Sequence, residues 1–352
     1  MTTRQVAIIT GPDTHLDHLG VLCHLLDIPL IVTENSTYTS ALSFYPQISV
    51  TQKNLNELSA HFLAENFDVL FESGKFWAAE LTPIFRLLYR KNMRFVFCPH
   101  GNSDKGHSAK EHIEQDISLV YGKHMIDLLT QTGAIKKIKS TLVTGNYRLP
   151  FYLKYQSFYD NLVEKHIFKN LDKNKKTALY APTWQDGENP SSFFEETAKL
   201  IESCKANFNL IIKLHPFLEK FHPAETFRVI SFYENTPNVI FLNQFPPIYP
   251  LLNAVDFYIG DYSSIGYDFL AFDKPLYFLT KKTAKKGILH SCGLAIPSSK
   301  DALEFIQKTF TTNQEMNQPI RKSTYLYAFG EEKPFSKLKQ ELLEIINEPL
   351  IH

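Results

Sequence analysis

Two histidines and a pair of serines stand where they could do chemistry. His100 lies in Pro99-His100-Gly101-Asn102-Ser103-Asp104-Lys105-Gly106-His107, directly after the apolar run Arg94-Phe95-Val96-Phe97-Cys98. In an open α/β sheet ligands bind beyond the carboxyl ends of strands, and an imidazole placed there can take a proton near neutral pH. Gly101 lets a ligand approach the backbone. The competing reading is a histidine that only closes a loop. Ser263 and Ser264 lie in Asp256-Phe257-Tyr258-Ile259-Gly260-Asp261-Tyr262-Ser263-Ser264-Ile265-Gly266-Tyr267-Asp268-Phe269. An apolar run stops at a glycine, two hydroxyl residues follow as a natural helix N-cap, and a mixed apolar run continues through Ala271 and Phe272. The first amides of a helix are unpaired and its dipole adds partial positive charge, so this turn suits a phosphate or diphosphate. A plain capping turn is the alternative.

Other polar residues fall at strand ends of the same half. Thr177-Ala178-Leu179-Tyr180-Ala181-Pro182-Thr183-Trp184-Gln185-Asp186-Gly187 reads as a strand running into a proline-tryptophan loop, and Asn209-Leu210-Ile211-Ile212-Lys213-Leu214-His215-Pro216 as a strand with His215 at its end. Tyr180 to Asp186, His215 and Asp261 to Ser264 thus share one rim of one sheet, which packing alone does not require. Ser263, Ser264, Thr183, Lys213 and Gly101 are the residues expected at a bound phosphate. Lys213 alternates with apolar neighbours and could equally point to solvent. Asp261 is expected to hold the turn by accepting backbone amides, and Asp268 to orient the serine loop from within the helix. Tyr180 and Trp184 could stack on a nucleobase, although aromatics beside a strand end more often belong to the core.

Alternating apolar runs and helical periodicities position these residues. Strands are expected at Val6 to Thr10, Ile28 to Val32, Phe67 to Phe71, Arg94 to Cys98, Ser118 to Tyr121 and Thr141 to Thr144, with helical spacing at Leu16, Leu19, Cys23 and Leu26 and at Trp77, Leu81, Ile84, Phe85 and Leu88. Such alternation means parallel sheets with helices on both faces. The expected division is a first Rossmann-like domain over 1–150, a connecting helix and lysine-rich solvated linker over 151–176, a second Rossmann-like domain over 177–330, and a C-terminal helix over 331–352 that packs back towards the first domain.

Composition narrows the function classes. The chain has 352 residues, 44% hydrophobic and 21% charged, with 37 basic and 37 acidic residues, so no global field draws it to nucleic acid or to membranes. Anion recognition must be local. Cys23, Cys98, Cys204 and Cys292 lie far apart without a C-x-x-C pair, which argues against a zinc site or a disulfide framework and fits a reduced, cytoplasmic setting. The apolar run near the N-terminus is too short for the core of a signal peptide, and no stretch approaches the ~18 apolar residues of a membrane span. Lys281, Lys282, Lys285 and Lys286 form a basic loop, read as solvated, with contact to an anionic acceptor or membrane surface as the alternative.

Taken together, His100-Gly101 after a strand, Tyr180-Ala181-Pro182-Thr183-Trp184, Lys213-Leu214-His215-Pro216, and Asp261-Tyr262-Ser263-Ser264 with Asp268 and Lys274-Pro275 resemble the CDP-glycerol glycerophosphotransferases, which include teichoic-acid primases and polymerases. Ser336 matches a late serine of that pattern. The resemblance implies a GT-B fold, two Rossmann-like domains facing a cleft, with the acceptor on the first and a CDP-linked donor on the second. It implies transfer of a polyol phosphate to a hydroxyl of a membrane-associated polymer or lipid-linked primer, with peripheral contact at the inner face of the membrane. By position, His100 is the base, His215 contacts the donor diphosphate, and Ser263 and Ser264 receive a phosphate. Asn102-Ser103-Asp104-Lys105 replaces the family's Thr-Pro-Leu-Lys-like run, and Gln185 stands where a basic residue is common, departures that bear on acceptor and polyol. No carboxylate cluster indicates an obligate metal, while a Mg²⁺ ion bridging donor phosphates would leave little trace. The competing functions are a GT-B sugar transferase or nucleotide-sugar 2-epimerase using a UDP-sugar, and a non-catalytic nucleotide-binding scaffold.

Overall fold

The structure, a computed structural model, describes residues 3–74, 76–105, 109–185, 191–279 and 286–348. The chain divides into two compact units, Met1–Phe151 with Tyr327–His352, and Tyr152–Leu326. The first is built on β1 (Gln5–Ile9), β2 (Leu30–Val32), β3 (Val50–Gln52), β4 (Val69–Glu72), β5 (Arg94–Phe97), β6 (Ile117–Val120) and β7 (Thr141–Val143), in the order β3-β2-β1-β4-β5-β6-β7. The second holds β8 (Lys176–Ala181), β9 (Phe208–Lys213), β10 (Val239–Leu242), β11 (Phe257–Gly260), β12 (Leu276–Phe278) and β13 (Leu294–Ala295), in the order β10-β9-β8-β11-β12-β13. Every described pairing is parallel, with Ala7 opposite Leu30 and Phe71 in one sheet and Ile259 opposite Tyr180 and Tyr277 in the other.

Helices cover both faces of each sheet, which is why the central strands are apolar at consecutive positions. Val6, Ala7, Ile8 and Ile9 are all buried, as are Leu210, Ile211 and Ile212. Strand order reverses between β1 and β4 and again between β8 and β11. At such a switch the following helices go to opposite faces, and a crevice opens beyond the strand ends.

Two stretches differ from the sequence reading. The polar region after Val32, which carried no assignment, forms the helix Asn35–Phe44 and the edge strand β3. Its hydroxyls serve as anchors, Thr37 Oγ1 donating to the Gly11 carbonyl at 3.0 Å and Ser40 Oγ to Asp13 at 2.8 Å. The segment expected as a connecting helix and solvated linker has its helix, but from Tyr152 on it is integral to the second unit. The helix Gln156–His166 buries Tyr159 and Val163, and the Asn209 side chain clasps Asp172 at both its amide (3.2 Å) and its carbonyl (2.8 Å). Lys165, Lys169 and Lys173 are exposed around this buried thread, so the charge run marks a solvated face and not a free linker.

The C-terminal helix Phe335–Asn347 buries Leu338, Leu342 and Ile346 within the first unit. Its last carbonyls are capped by a strand residue. The buried Arg94 guanidinium donates to the carbonyl of Ile345 at 2.7 Å and to those of Ile346 and Glu348. Tyr327 to Gly330 also belong to the first unit, where Asn102 Nδ2 donates to the Ala328 carbonyl at 3.2 Å. Arg94→Ala strands these carbonyls, and hydrogen bonds to a charged group are worth ~1.5–3 kcal/mol each. We expect at least that loss in urea unfolding of the first unit, with faster hydrogen exchange in Phe335–Asn347; an unchanged midpoint would show that the helix docks by its apolar face alone.

Candidate active site

The second unit concentrates its polar residues at the adjacent ends of β9, β8 and β11. Gly260 ends β11, and its lack of a side chain leaves space for the Tyr258 ring; a Cβ there would lie 2.1 Å from the Tyr258 hydroxyl. Asp261 follows, 1% exposed, and its carboxylate gathers three segments. Oδ1 accepts the Thr183 amide at 2.8 Å and the Tyr262 amide at 2.6 Å, while Oδ2 accepts the Ser192 amide at 3.0 Å and the Ser192 hydroxyl at 2.7 Å. Burial pushes this carboxyl above its ordinary range, against the opposing pull of the donors from Ser192, Thr183 and Tyr262. Asp261 therefore spans the β8/β11 switch, tying the loop after β8 to the start of the helix Phe193–Cys204. A cavity of about 140 Å³ lies beside this clasp, lined in part by Ser192, Glu195, Tyr262 and Ser298.

The serines differ in detail from the expected cap. The helix that follows is short, Ile265–Phe269, running on into the 3₁₀ turn Leu270–Phe272. Ser264 already has helical angles (φ −60°, ψ −25°) and makes no side-chain cap bond. The backbone closes instead by carbonyls, Ser263 accepting from Gly266 at 3.2 Å and Ser264 from Tyr267 at 3.0 Å. Ser263 is buried and Ser264 half-buried at the mouth of the turn.

His215 caps the helix Pro216–Phe221, its Nδ1 accepting the Phe217 amide at 3.2 Å. This places the proton of the neutral ring on Nε2, a donor suited to a phosphate oxygen. Trp184 packs against it, 6.2 Å between ring centroids, and against Phe217 and Phe221 at 5.0 and 5.5 Å. Lys213 is buried and donates to the Phe245 carbonyl at 3.3 Å, so it is not the solvent-facing alternation that the strand pattern allowed. Tyr180 is wholly within the core, its hydroxyl 2.8 Å from Ser192 Oγ, which removes it as a stacking platform. Asp268 accepts the Tyr249 hydroxyl at 3.1 Å, supporting the helix Ile248–Ala254. Asp186 and Gly187, Gly106 and His107, and Lys281, Lys282 and Lys285 lie outside the described residues; Lys286 is exposed.

In the first unit His100 is exposed at the end of β5, and Gly101 takes φ +143°, a conformation that side chains rarely adopt. Around His100 stand three histidines that the sequence reading passed over. His15 stacks on it with 4.9 Å between centroids, His18 Nδ1 is 2.5 Å from the Tyr121 hydroxyl, and His112 bonds through Nδ1 to Ser118 Oγ. The signal was available: His15 and His18 follow the turn after β1 just as His100 follows β5. Burial, with His100 adding to it, pushes the His15 imidazole down to about 3 and that of His112 to about 4, and burial beside Arg148 holds His18 well below its usual range. Glu72, at the end of β4, accepts the amides of Trp77 (3.2 Å) and Ala78 (3.0 Å), and burial raises its carboxyl to about 7.

These shifts oppose each other in sign. Histidines with depressed values bind protons in the unfolded chain first, so their contribution is present above the usual value near 6.5 and is lost as pH falls towards 4. Glu72, with a raised value, works the other way between its usual value near 4.5 and 7, one carboxyl against three imidazoles. We expect the urea midpoint of the first unit to fall from pH 6.5 to 4.5, and His112→Asn, which keeps an acceptor near Nδ1, to flatten that fall. A midpoint that rises over this range would mean that the histidines are solvated.

Comparison with known proteins gives this geometry a family. A sequence model of the CDP-Glycerol:Poly(glycerophosphate) glycerophosphotransferase family matches residues 98–287, more than half of the chain. The teichoic acid glycerol-phosphate primase of Bacillus spizizenii is 27% identical over 166 residues, 47% of this chain and 40% of the relative, and that of Bacillus subtilis is 31% identical over 115 residues, 31% of this chain and 26% of the relative. The alignments thus span less than half the length of these relatives. Among solved structures, the wall teichoic acid polymerase TagF, soaked with CDPG, has a TM-score of 0.65 at 14% identity, covering 100% of this chain and 91% of that one. HepE of Anabaena, in complex with UDP and glucose, has a TM-score of 0.55 at 11% identity, covering 97% and 99%. These likenesses show a shared GT-B-like fold, and the family match, which spans His100, Thr183, His215, Ser263 and Ser264, shows that the chain belongs to the CDP-glycerol glycerophosphotransferases.

Proposed function

We propose that this protein transfers glycerol phosphate, or a related polyol phosphate, from a CDP-activated donor to a hydroxyl of a cell-surface polymer or lipid-linked primer, releasing CMP. The observation that carries this reading is that one family match contains both the exposed histidine of the first unit and the clasped rim of the second. The acceptor oxygen attacks the phosphorus that bears the polyol, its proton passes to His100, and the bond to the bridging oxygen breaks with its electron pair leaving on CMP. Charge accumulating on the phosphates needs fixed donors. His215, through Nε2, is suited to a diphosphate oxygen. The turn at Ser263 and Ser264 supplies hydroxyls and amides and the neighbouring Thr183 a hydroxyl, the Thr183 amide being spent on Asp261, which holds these segments in place. Lys213 adds a buried amine at the end of β9, and Gly101 brings no side chain beside His100. A lipid-linked acceptor would bring the protein to a membrane surface, and no helix among the described residues is long and apolar enough to cross one.

The fold shared with HepE keeps a second reading, transfer or epimerisation of a UDP-sugar. The nucleotide decides between them. CMP released from CDP-glycerol in the presence of a lipid-linked primer supports the first; turnover of a UDP-sugar in preference to every CDP-linked compound overturns it. A positioned base is worth ~100- to 10,000-fold, so His100→Ala should lower kcat by that range while the CDP-donor still raises thermal stability. A wild type that binds donor without ever turning it over would favour a scaffold.

The clasp makes a separate prediction. Asp261→Asn turns an amide donor towards the Ser192 or Thr183 amides and loosens the rim. We expect donor Kd to rise by about tenfold, a loss of roughly 1.4 kcal/mol, with a smaller change in kcat. Equal losses for donor and acceptor, or none for donor, would contradict a donor-side role.

A further inference from the structure

We propose that His15 is a positioning residue for His100: its ring, stacked on His100, sets the plane of that imidazole. The inference rests on the reading that His100 takes the acceptor's proton. The stack has 4.9 Å between centroids and a tilt of 30°, so the exposed ring has a face of contact that a histidine on an open loop would lack.

The segment that presents His15 is fastened at several points. After β1 the chain turns through Gly11 and Pro12, and the Pro12 carbonyl accepts the His15 amide at 3.2 Å. The Gly11 carbonyl and the Asp13 carboxylate are held by Thr37 and Ser40 of the helix Asn35–Phe44. Three residues on, His18 bonds to Tyr121, and the Tyr121 hydroxyl donates to the Pro99 carbonyl at 2.8 Å. Tyr121 has one proton and Pro99 can only accept, so His18 Nδ1 must be the donor, which assigns its tautomer. One turn therefore controls both parts of the base. His18 and Tyr121 hold the backbone immediately before His100, and His15 holds the ring.

The groups around His100 bear on where charge can sit beside it. Among the described residues they are His15 and His18 from the turn after β1, His112 from the helix Ala109–Ile113, and Tyr121 at the end of β6. The Arg148 charge lies beyond His18, paired with Asp17 at 2.9 Å, and Asp104 on the same loop is paired with His124 at 3.1 Å. Two stacked imidazoles cannot both be charged without repulsion, and burial, with His100 adding to it, lowers the His15 ring to about 3.

Replacing His15 tests this with readouts that a merely structural role would not move. In His15→Ala, kcat should fall by up to about a hundredfold with donor KM within twofold, and the acidic limb of the pH–rate profile should shift. His15→Phe, which keeps a flat ring, should recover most of the rate, and thermal melts establish that both variants fold. The stack itself is read without turnover, by NMR of ¹³C-histidine-labelled full chain: the His100 Cε1–H signal carries a ring-current shift that His15→Ala abolishes and His15→Phe preserves. Unchanged kcat and pH profile in His15→Ala, with an active wild type, would overturn the inference. An intact ring-current shift in a wild type that never turns over CDP-glycerol would instead sink the base reading and with it this one.

Discussion

The buried carboxylate of Asp261 is the interaction on which the polar rim of the second sheet depends. It lies one residue beyond β11 yet accepts from Thr183 in the loop after β8 and from Ser192 at the start of the helix Phe193–Cys204. Pairing of β8 with β11 brings their tips side by side, and the carboxylate then fixes the loop after β8 and the helix start against the turn after β11. A carboxylate taken from water costs several kcal/mol unless its lone pairs are matched. Four donors match them here, so the turn, the loop and the helix start are held in one arrangement or not at all. The residues suited to phosphate, Thr183, Ser263 and Ser264, are all within two or three positions of the atoms so held.

The first unit solves a different problem. A histidine proposed to take the acceptor's proton must be exposed, and an exposed side chain is usually mobile. Here the exposed ring of His100 is backed by half-buried and buried imidazoles whose charge is suppressed, and its backbone is braced through Tyr121 and Pro99. On the other side of the same loop, Asn102 reaches the Ala328 carbonyl, so the segment returning from the second unit also steadies it. Gly101, with φ +143°, takes a backbone conformation that a side chain would strain.

Much of the architecture is legible because parallel strands covered on both faces must be apolar throughout, as in Val6 to Ile9 and Leu210 to Ile212. Where that constraint lapses, the pattern disappears. β3 lies at an edge with Thr51 and Gln52 exposed, and the helix Asn35–Phe44 spends its hydroxyls on the loop after β1, so neither reads as a core element. The helical spacing of Tyr159 and Val163 was legible, whereas the lysines between 165 and 176 hid Ile167 and Leu171, because surface charge outnumbered the thin buried thread. Ser263 and Ser264 were legible as a strand-to-helix turn, but their angles depend on how the chain leaves β11, which composition does not encode.

The sequence by itself determined two parallel sheets, the strand ends at which His100, Thr183, His215, Ser263 and Ser264 would fall, and the family motifs they compose. These follow from local periodicity and from residue type at a strand's end. Tertiary structure decided what each polar group does there. Tyr180 was committed to the core, Lys213 to a carbonyl, Asp261 to three segments at once, and His15 to the face of His100. Those assignments depend on which loops the strand order brings together, β8 beside β11 and β1 near β5, and strand order is set by long-range pairing of buried surfaces that no short stretch of sequence contains.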